Sequence, residues 1–242
     1  DGKSRAYPLS VLIWHEIVND VLAGVPVAVT FCPLCNAAVV FDRRVNGQTL
    51  EFGTTGKLRF SDLVMYDRQS ESWWQQFTGE AIVGSRTGET LRFLPARLES
   101  FAKFRVRAPK GEVLVPTNPN MRRYGMNPYG GYDSAHTPFL YRGKMPEVVA
   151  PLARVVAVGD RAWSVDFLQI KQRIETKDGL ILTWEKGQNS ALDSRVIAEG
   201  RDVGNVLVQR RNGDGKLVDA QYRVDFAFAF YAFNPQAKIV VE

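Results

Sequence analysis

The stretch VPVAVTFCPLCNAAVVF, residues 25–41, decides the fold of the chain around it. Its first part, residues 25–31, is rich in valine and predicts a buried strand despite Pro26 near its start. The run 37–44 predicts a second strand. The Cys32-Pro33-Leu34-Cys35 segment therefore lies in a turn between two strands, and Pro33 helps to fix the geometry of that turn.

The segment before this stretch predicts a helix over 8–23. Pro8 suits the first helical turn, and Gly24 suits the end of a helix. Between them, side chains recur at helical spacing at Val11, His15, Val18 and Leu22.

The segment after it predicts short strands. Asn46-Gly47 is a strong hairpin signal and joins the run 37–44 to residues 49–52. Further strands are expected at 63–66, 72–77, 80–83 and 90–94, with a short helix at 96–104. The fold class expected from this pattern is a β-rich α+β protein with a few short helices.

Residues 116–138 are rich in Pro, Asn, Gly and Tyr and carry no periodic pattern. A loop of that length in a compact protein is usually functional or a connector. We therefore expect an N-terminal half at 1–115, an irregular connector at 116–145 and a C-terminal half at 146–242. A single compact domain is the alternative.

The second half resembles the first in sequence, which suggests an internal duplication. Arg5-Ala6-Tyr7 matches Arg161-Ala162-Trp163, and Thr30-Phe31 matches Thr183-Trp184 after a three-residue deletion. In this alignment Glu185 and Gln188 stand where the first half has its two cysteines. The second half would thus be a degenerate repeat without thiols.

The composition is that of an ordinary globular protein, with 45% hydrophobic and 24% charged residues. The net charge of +5 comes from interspersed residues, and no Lys/Arg run typical of a nucleic-acid-binding arm is present. The sequence contains no run of 18 apolar residues, so it predicts no membrane-spanning helix. Nucleic acid is therefore not an expected partner. The expected partner is a metal ion or a small redox partner, as the two cysteines indicate.

Cys32 and Cys35 are the only cysteines. A disulfide between them would close so short a loop that it would contribute only about 2 kcal/mol, which makes a purely structural bridge a poor explanation. Soft thiolates select Cu(I), Zn(II) or an iron–sulfur cluster, but closed zinc and cluster sites generally need four ligands. Cu(I) accepts two or three soft ligands and therefore fits this small number of thiolates best, with His15 or Met65 completing the ligand set.

Two other functions stay open. In the first, Cys32 and Cys35 are the catalytic pair of a thiol–disulfide oxidoreductase, although such motifs usually open a helix rather than join two strands. In the second, the protein is a non-catalytic binding module of the cell envelope that uses Trp73, Trp74 and the Tyr-rich connector. The alternative without a chemical function is that Cys32 and Cys35 are two inert, buried thiols.

Six sequence blocks closely resemble the DUF3179 family of bacteria and archaea: RAYP (5–8), WHEIVND (14–20), CPLCN (32–36), VMYDR (64–68), WQQFTGEAI (74–82) and NPY (127–129). The resemblance covers essentially the whole chain and implies no reaction, because the family has no assigned function. Its members often carry an N-terminal signal or lipoprotein-like segment. The resemblance therefore implies an exported protein, periplasmic or extracellular, with anchoring through a removed N-terminal segment as a further expectation.

Overall fold

The computed structural model describes residues 2–242 and contains 38% strand and 14% helix, so the predicted β-rich α+β class is confirmed. The helices are α1 (Leu9–His15), α2 (Phe101–Arg107), α3 (Val165–Lys171) and α4 (Ala227–Phe233). Two 3-10 turns lie at Tyr132–Ser134 and Ile197–Glu199. None of the helices within residues 2–242 is long and apolar enough to cross a membrane.

The strands before the connector are β1 (Arg5–Ala6), β2 (Ile17–Leu22), β3 (Val25–Cys32), β4 (Ala37–Asp42), β5 (Arg44–Val45), β6 (Gln48–Thr49), β7 (Phe52–Arg59), β8 (Asp62–Asp67), β9 (Trp73–Gln75), β10 (Ala81–Val83), β11 (Arg92–Leu94) and β12 (Glu112–Val113). The strands after it are β13 (Arg154–Val158), β14 (Arg161–Ser164), β15 (Arg173–Glu175), β16 (Leu180–Glu185), β17 (Asn205–Arg211), β18 (Leu217–Asp219), β19 (Arg223–Phe226) and β20 (Ile239–Val240).

Four sheets of four strands make up most of the described fold. Before the connector, the strand orders are β11-β4-β3-β2 and β10-β9-β8-β7; after it, they are β19-β13-β14-β20 and β15-β16-β17-β18. Strand β1 pairs in parallel with β12, and β5 pairs with β6 around the predicted Asn46-Gly47 turn. Within the first two sheets all neighbouring strands are antiparallel. Short turns connect most strands that follow one another along the chain, whereas β11 returns to β4 after residues 43–91.

The prediction of one helix over 8–23 is wrong in its second part. The helix ends at His15, because Glu16 adopts a left-handed backbone with φ 59°. Residues 17–22 then form β2 and pair with β3 from Ile17↔Thr30 to Leu22↔Val25. Backbone pairing with an existing strand outweighs the helical spacing of Val18 and Leu22, since a short apolar segment fits either element.

The other predicted elements are mostly present with shifted bounds. The helix expected at 96–104 begins at Phe101, where the Ser100 hydroxyl accepts a hydrogen bond from the Lys103 N–H. The predicted strand at 72–77 is shorter, as β9 covers three residues. The connector 116–145 has no helix or strand besides the turn at Tyr132–Ser134.

The largest hydrophobic core combines both halves of the chain. It contains the inner faces of the first two sheets, among them Phe31, Met65 and Trp74, and it also takes in Phe226 and Phe228 from the C-terminal half. On another side, a cavity of about 780 Å³ separates the β3–β4 sheet face from the C-terminal half. A second core is formed almost entirely by side chains of the C-terminal half, so the division into halves at 116–145 stays a prediction.

The two segments aligned as a repeat have similar local geometry. Helices α1 and α3 each have seven residues, and each ends at a left-handed residue, Glu16 (φ 59°) or Gln172 (φ 60°). The carbonyl oxygens of these two residues accept hydrogen bonds from the N–H groups of Phe31 and Trp184. After these strands the two segments differ, because β3 continues into β4 after residues 33–36 whereas residues 186–204 separate β16 from β17. The duplication itself stays a prediction.

Candidate functional site

The cysteine segment is a tight turn between antiparallel strands, as predicted. Cys32 is the last residue of β3 and pairs with Ala37, the first residue of β4. The N–H of Cys35 donates to the carbonyl of Cys32 at 3.3 Å, and Asn36 then adopts a left-handed φ of 51°. Because the chain reverses within four residues, the Cys32 and Cys35 side chains come to lie 4.0 Å apart.

Strand β19 fixes this turn from the other half of the chain. The Asn36 side-chain amide donates to the Val224 carbonyl at 2.8 Å, and the Phe226 N–H donates to the Cys35 carbonyl at 2.9 Å. Both cysteines are buried, with exposed fractions of 1% and 0%. Side chains and backbone from both halves of the chain therefore shield the thiols from bulk solvent.

A carboxyl group joins the two thiols. The ligand atoms of Cys32, Cys35 and Asp62 all lie within 4.8 Å of one another, and all three residues are buried. Asp62 is the first residue of β8 and follows the two-residue turn of Phe60 and Ser61, whose φ angles of 55° and 67° are both left-handed. This turn reverses the β7–β8 hairpin directly at the cysteine turn, since the Ser61 carbonyl accepts hydrogen bonds from both sulfur atoms, at 3.8 Å from Cys32 and 3.5 Å from Cys35.

Only one oxygen of the Asp62 carboxyl group is satisfied by nitrogen donors. Oδ2 accepts from Gln75 Nε2 at 2.6 Å and from the Phe77 N–H at 3.0 Å. Oδ1 is buried and has no hydrogen-bond partner within residues 2–242. A buried carboxyl oxygen without a partner is costly, and such atoms commonly mark the place of an ion or a bound water.

Burial raises the pKa of all three groups, so the two thiols stay protonated at neutral pH and Asp62 titrates in that range. Desolvation raises the pKa of Cys32, and it raises that of Cys35 further because the Cys32 thiol and nearby carboxyl groups add to the effect. Desolvation also raises the pKa of Asp62 to about 7, against which the hydrogen bonds from Gln75 and Phe77 act. A cation would replace the protons of these groups, because its positive charge offsets the cost of burying their anionic forms.

A second acidic residue lies near the thiols. Asp225 is fully buried in β19, and its Oδ2 accepts from Arg223 Nε at 3.0 Å. The Arg223 guanidinium also lies over the Phe77 ring at 4.2 Å in a cation–π contact. Asp225 Oδ1 has no hydrogen-bond partner within the described chain.

The family model described as "Protein of unknown function (DUF3179)" matches residues 1–237. The chain belongs to the DUF3179 family. No curated protein and no solved structure matches it. Membership confirms the resemblance seen in the sequence blocks and assigns no reaction, so the site of this DUF3179 protein has to be interpreted from its own geometry.

Of the four residues predicted as metal ligands, the structure brings only the cysteines together. His15 Nε2 is hydrogen-bonded to the Tyr124 hydroxyl at 2.7 Å, and the two rings stack at a centroid distance of 5.8 Å. His15 is not part of the Cys32–Cys35–Asp62 group. Met65 is fully buried in the core of β8, and since it lies three residues after Asp62, the alternation of the strand directs the two side chains to opposite faces.

Asp62 is the site residue of this DUF3179 protein that sequence reasoning missed. Its one sequence signal is a carboxylate directly before the apolar run 63–65, 27 residues after Cys35. Nothing in that spacing points to the thiols, because the contact depends on how the β7–β8 hairpin packs against the β3–β4 turn.

The tryptophan pair also differs from its predicted role. Trp74 is fully buried and donates from Nε1 to Asp67 Oδ2 at 2.8 Å. It is therefore a core residue and not a contact surface for a partner. Trp73 is half-buried on the opposite face of β9.

Proposed function

We propose that this protein binds one thiophilic metal ion through Cys32 and Cys35, with Asp62 as the third ligand. The observation that carries the proposal is the convergence of these three buried groups within 4.8 Å, next to a carboxyl oxygen without a partner. Thiol and carboxyl groups both bind metal ions, and each loses its proton when it does so.

Cu(I) is the proposed ion. Within residues 2–242 the group contains no fourth Cys, His, Asp or Glu, whereas closed structural zinc sites generally use four protein ligands. Cu(I) is satisfied by two soft thiolates, with Asp62 supplying a weaker oxygen contact and compensating charge. Zn(II) is the competing ion, because it accepts the Asp62 oxygen more readily and could complete its shell with water.

The decisive experiment is an anaerobic competition titration of the purified, metal-free protein with Cu(I) and with Zn(II). Cys32→Ser/Cys35→Ser protein is expected to lose tight Cu(I) binding. His15→Gln and Met65→Leu serve as matched controls, since each removes a predicted ligand that lies outside the group. If the double-serine protein binds Cu(I) as tightly as the wild type, the proposal is wrong.

A thiol–disulfide oxidoreductase is the second candidate, favoured by the 4.0 Å separation of the two side chains within one turn. In such a cycle the Cys32 thiolate attacks a substrate disulfide, and Cys35 then displaces the product thiol. The cycle leaves a Cys32–Cys35 disulfide and two substrate thiols. Burial and a raised thiol pKa count against it, because reactive cysteines are exposed and have a lowered pKa. A mixed disulfide trapped in Cys35→Ser protein would favour this function over metal binding.

We also propose an exported location for the protein. The proposal rests on the family resemblance alone, since family members often carry an export signal. Cell fractionation of the full-length protein tests it, and recovery with cytoplasmic markers only would contradict it. A non-catalytic role as an envelope binding module stays a third possibility, supported by the irregular connector and no longer by Trp74.

We further propose that the two halves arose by duplication and that the cysteines belong to the first copy only. Helices α1 and α3 support this proposal, because they have the same length and each has a C-cap residue with positive φ. The residue aligned with Cys32 is Glu185, which pairs with Lys103 at the surface and thus has a different role. A profile search that aligns family members half against half would test the proposal.

A further inference from the structure

Two neighbouring segments expose apolar side chains on one surface beside the cysteine site. The first is the tip of the β7–β8 hairpin, where Leu58 is 40% and Phe60 42% exposed. The second is the connector segment 137–146, where Phe139 is 58% and Leu140 65% exposed. The two are joined by the Ser61 hydroxyl, which donates to the Phe139 carbonyl, and by an edge contact between the Phe60 and Tyr141 rings. We call this surface the hairpin–connector patch.

All charged residues of the two segments are cationic. Residues 52–61 contain Lys57 and Arg59, residues 137–146 contain Arg142 and Lys144, and neither segment contains an acidic residue. All four side chains belong to exposed residues, and none forms an ion pair with a carboxylate of residues 2–242. Elsewhere in the described chain about half of the exposed arginines form an ion pair, as Arg161 does with Asp178. The patch therefore combines apolar side chains with uncompensated positive charge.

The backbone gives a second reason to assign a role to these apolar side chains. Phe60 and Leu140 both have a φ of 55°, in the left-handed region that large apolar residues rarely adopt. Glycine or asparagine would suit these exposed turn positions better. Residues held in such conformations cluster at functional sites. Phe60 packs partly against the Phe233 and Tyr141 rings, whereas the Leu140 side chain is 65% exposed, which suggests that it contacts something outside the chain.

We propose that the hairpin–connector patch binds an anionic membrane surface. Aromatic and leucine side chains at two loop tips can enter the boundary between lipid headgroups and acyl chains, while the surrounding lysines and arginines contact anionic lipid headgroups. A deformable headgroup layer suits two projecting tips, whereas a specific protein partner would need shape complementarity to both. This proposal does not depend on metal binding. The two sites are adjacent, because Phe60 of the patch directly precedes Ser61, whose carbonyl contacts both thiols.

Vesicle sedimentation tests the proposal with the full chain. The probes are vesicles of phosphatidylcholine alone and vesicles that also contain phosphatidylserine, each at low and at raised salt. We expect binding to the phosphatidylserine vesicles only, weakened by salt because headgroup attraction is screened. Replacing Lys57, Arg59, Arg142 and Lys144 by serine should lower the partition coefficient by about fivefold for each cation removed.

A second variant tests the apolar contribution without disturbing the fold. Phe139→Ser/Leu140→Asn removes two apolar side chains that are 58% and 65% exposed, and asparagine suits the left-handed backbone at position 140. It should weaken vesicle binding at least tenfold while the circular dichroism spectrum stays the same. The matched controls are Ile170→Ser, which removes an apolar side chain that is 79% exposed on α3, and Lys110→Ser/Lys177→Ser, which removes two exposed cations elsewhere. Both controls should bind as the wild type does.

Three outcomes would overturn the proposal. The first is no binding to phosphatidylserine vesicles, and the second is equal loss of binding in the patch variants and the controls. The third is binding to an acidic polypeptide such as polyglutamate without binding to vesicles, which would assign the patch to a protein partner. Metal titration of the same variants separates this test from the proposed function, because loss of vesicle binding with unchanged Cu(I) affinity concerns the patch alone.

Discussion

The Ser61 carbonyl oxygen lies 3.5 Å from the Cys35 sulfur and accepts a hydrogen bond from its thiol. This contact joins two hairpin turns that are distant in the sequence, and it brings the next residue, Asp62, to the thiols. The candidate metal site thus exists only where these two turns meet.

The Asp62 carboxylate should discriminate between the two candidate ions. We expect Asp62→Asn to lower Zn(II) affinity more than Cu(I) affinity, since a carboxylate oxygen is a better ligand for Zn(II) than for the softer Cu(I). Competition titrations of the wild type and Asp62→Asn with both ions measure the difference. Equal losses for the two ions would indicate that Asp62 acts through the fold and not as a ligand.

The stability of the metal-free protein should fall as the pH rises through neutrality. The pKa of Asp62 is about 7 in the folded chain and 3.8 in its reference state, so the folded state holds a proton that the unfolded state has already lost between these values. The free energy of unfolding therefore decreases over this range. Urea denaturation at about pH 5 and about pH 8 measures it. Asp62→Asn should reduce the decrease, and an unchanged decrease in this variant would assign the effect to other groups.

Asp133 should be essential for attachment of the connector. Its side chain is fully buried and pairs with Arg154 at 2.9 Å and Arg201 at 2.8 Å. Asp133→Ala leaves the Arg154 side chain, which is only 8% exposed, without its partner and should destabilise the protein by about 3–5 kcal/mol. Arg201→Ala is the control, expected to cost less than about 1 kcal/mol because that side chain is 44% exposed. Similar losses for both variants in denaturant titrations would contradict this account.

Tyr132 should limit access to the thiols. Its hydroxyl donates to the Leu34 carbonyl inside the cysteine turn at 3.0 Å and accepts from the Phe139 N–H at 3.2 Å. Tyr132→Phe removes both bonds, so we expect a stability loss of about 1–2 kcal/mol and a severalfold faster reaction of the cysteines with a thiol reagent. Tyr141→Phe is the matched control, because its hydroxyl contacts only the nearby Lys144 carbonyl. Equal rates in the two variants would argue against a role for Tyr132 in access.

Leu140 should be a site of removable backbone strain. Its φ is 55° and its side chain is 65% exposed, so asparagine should be tolerated better than leucine there. We expect Leu140→Asn to raise the free energy of unfolding by up to about 1 kcal/mol. Leu140→Val, whose branched side chain is less compatible with a left-handed backbone, should lower it. Denaturant titration of the three proteins gives the order, and a less stable Leu140→Asn would contradict this interpretation.

The sequence by itself determined the features that depend on neighbouring residues. The strand–turn–strand unit around Cys32 and Cys35 follows from local valine content and turn chemistry, and the Asn46-Gly47 hairpin follows from the backbone freedom of those two residues. Only the tertiary structure decided two others. Residues 17–22 became a strand because β3 offers them backbone partners, although their apolar spacing suits a helix equally well. Asp62 became part of the site because packing of the β7–β8 hairpin against the cysteine turn sets that distance, and no local pattern encodes it.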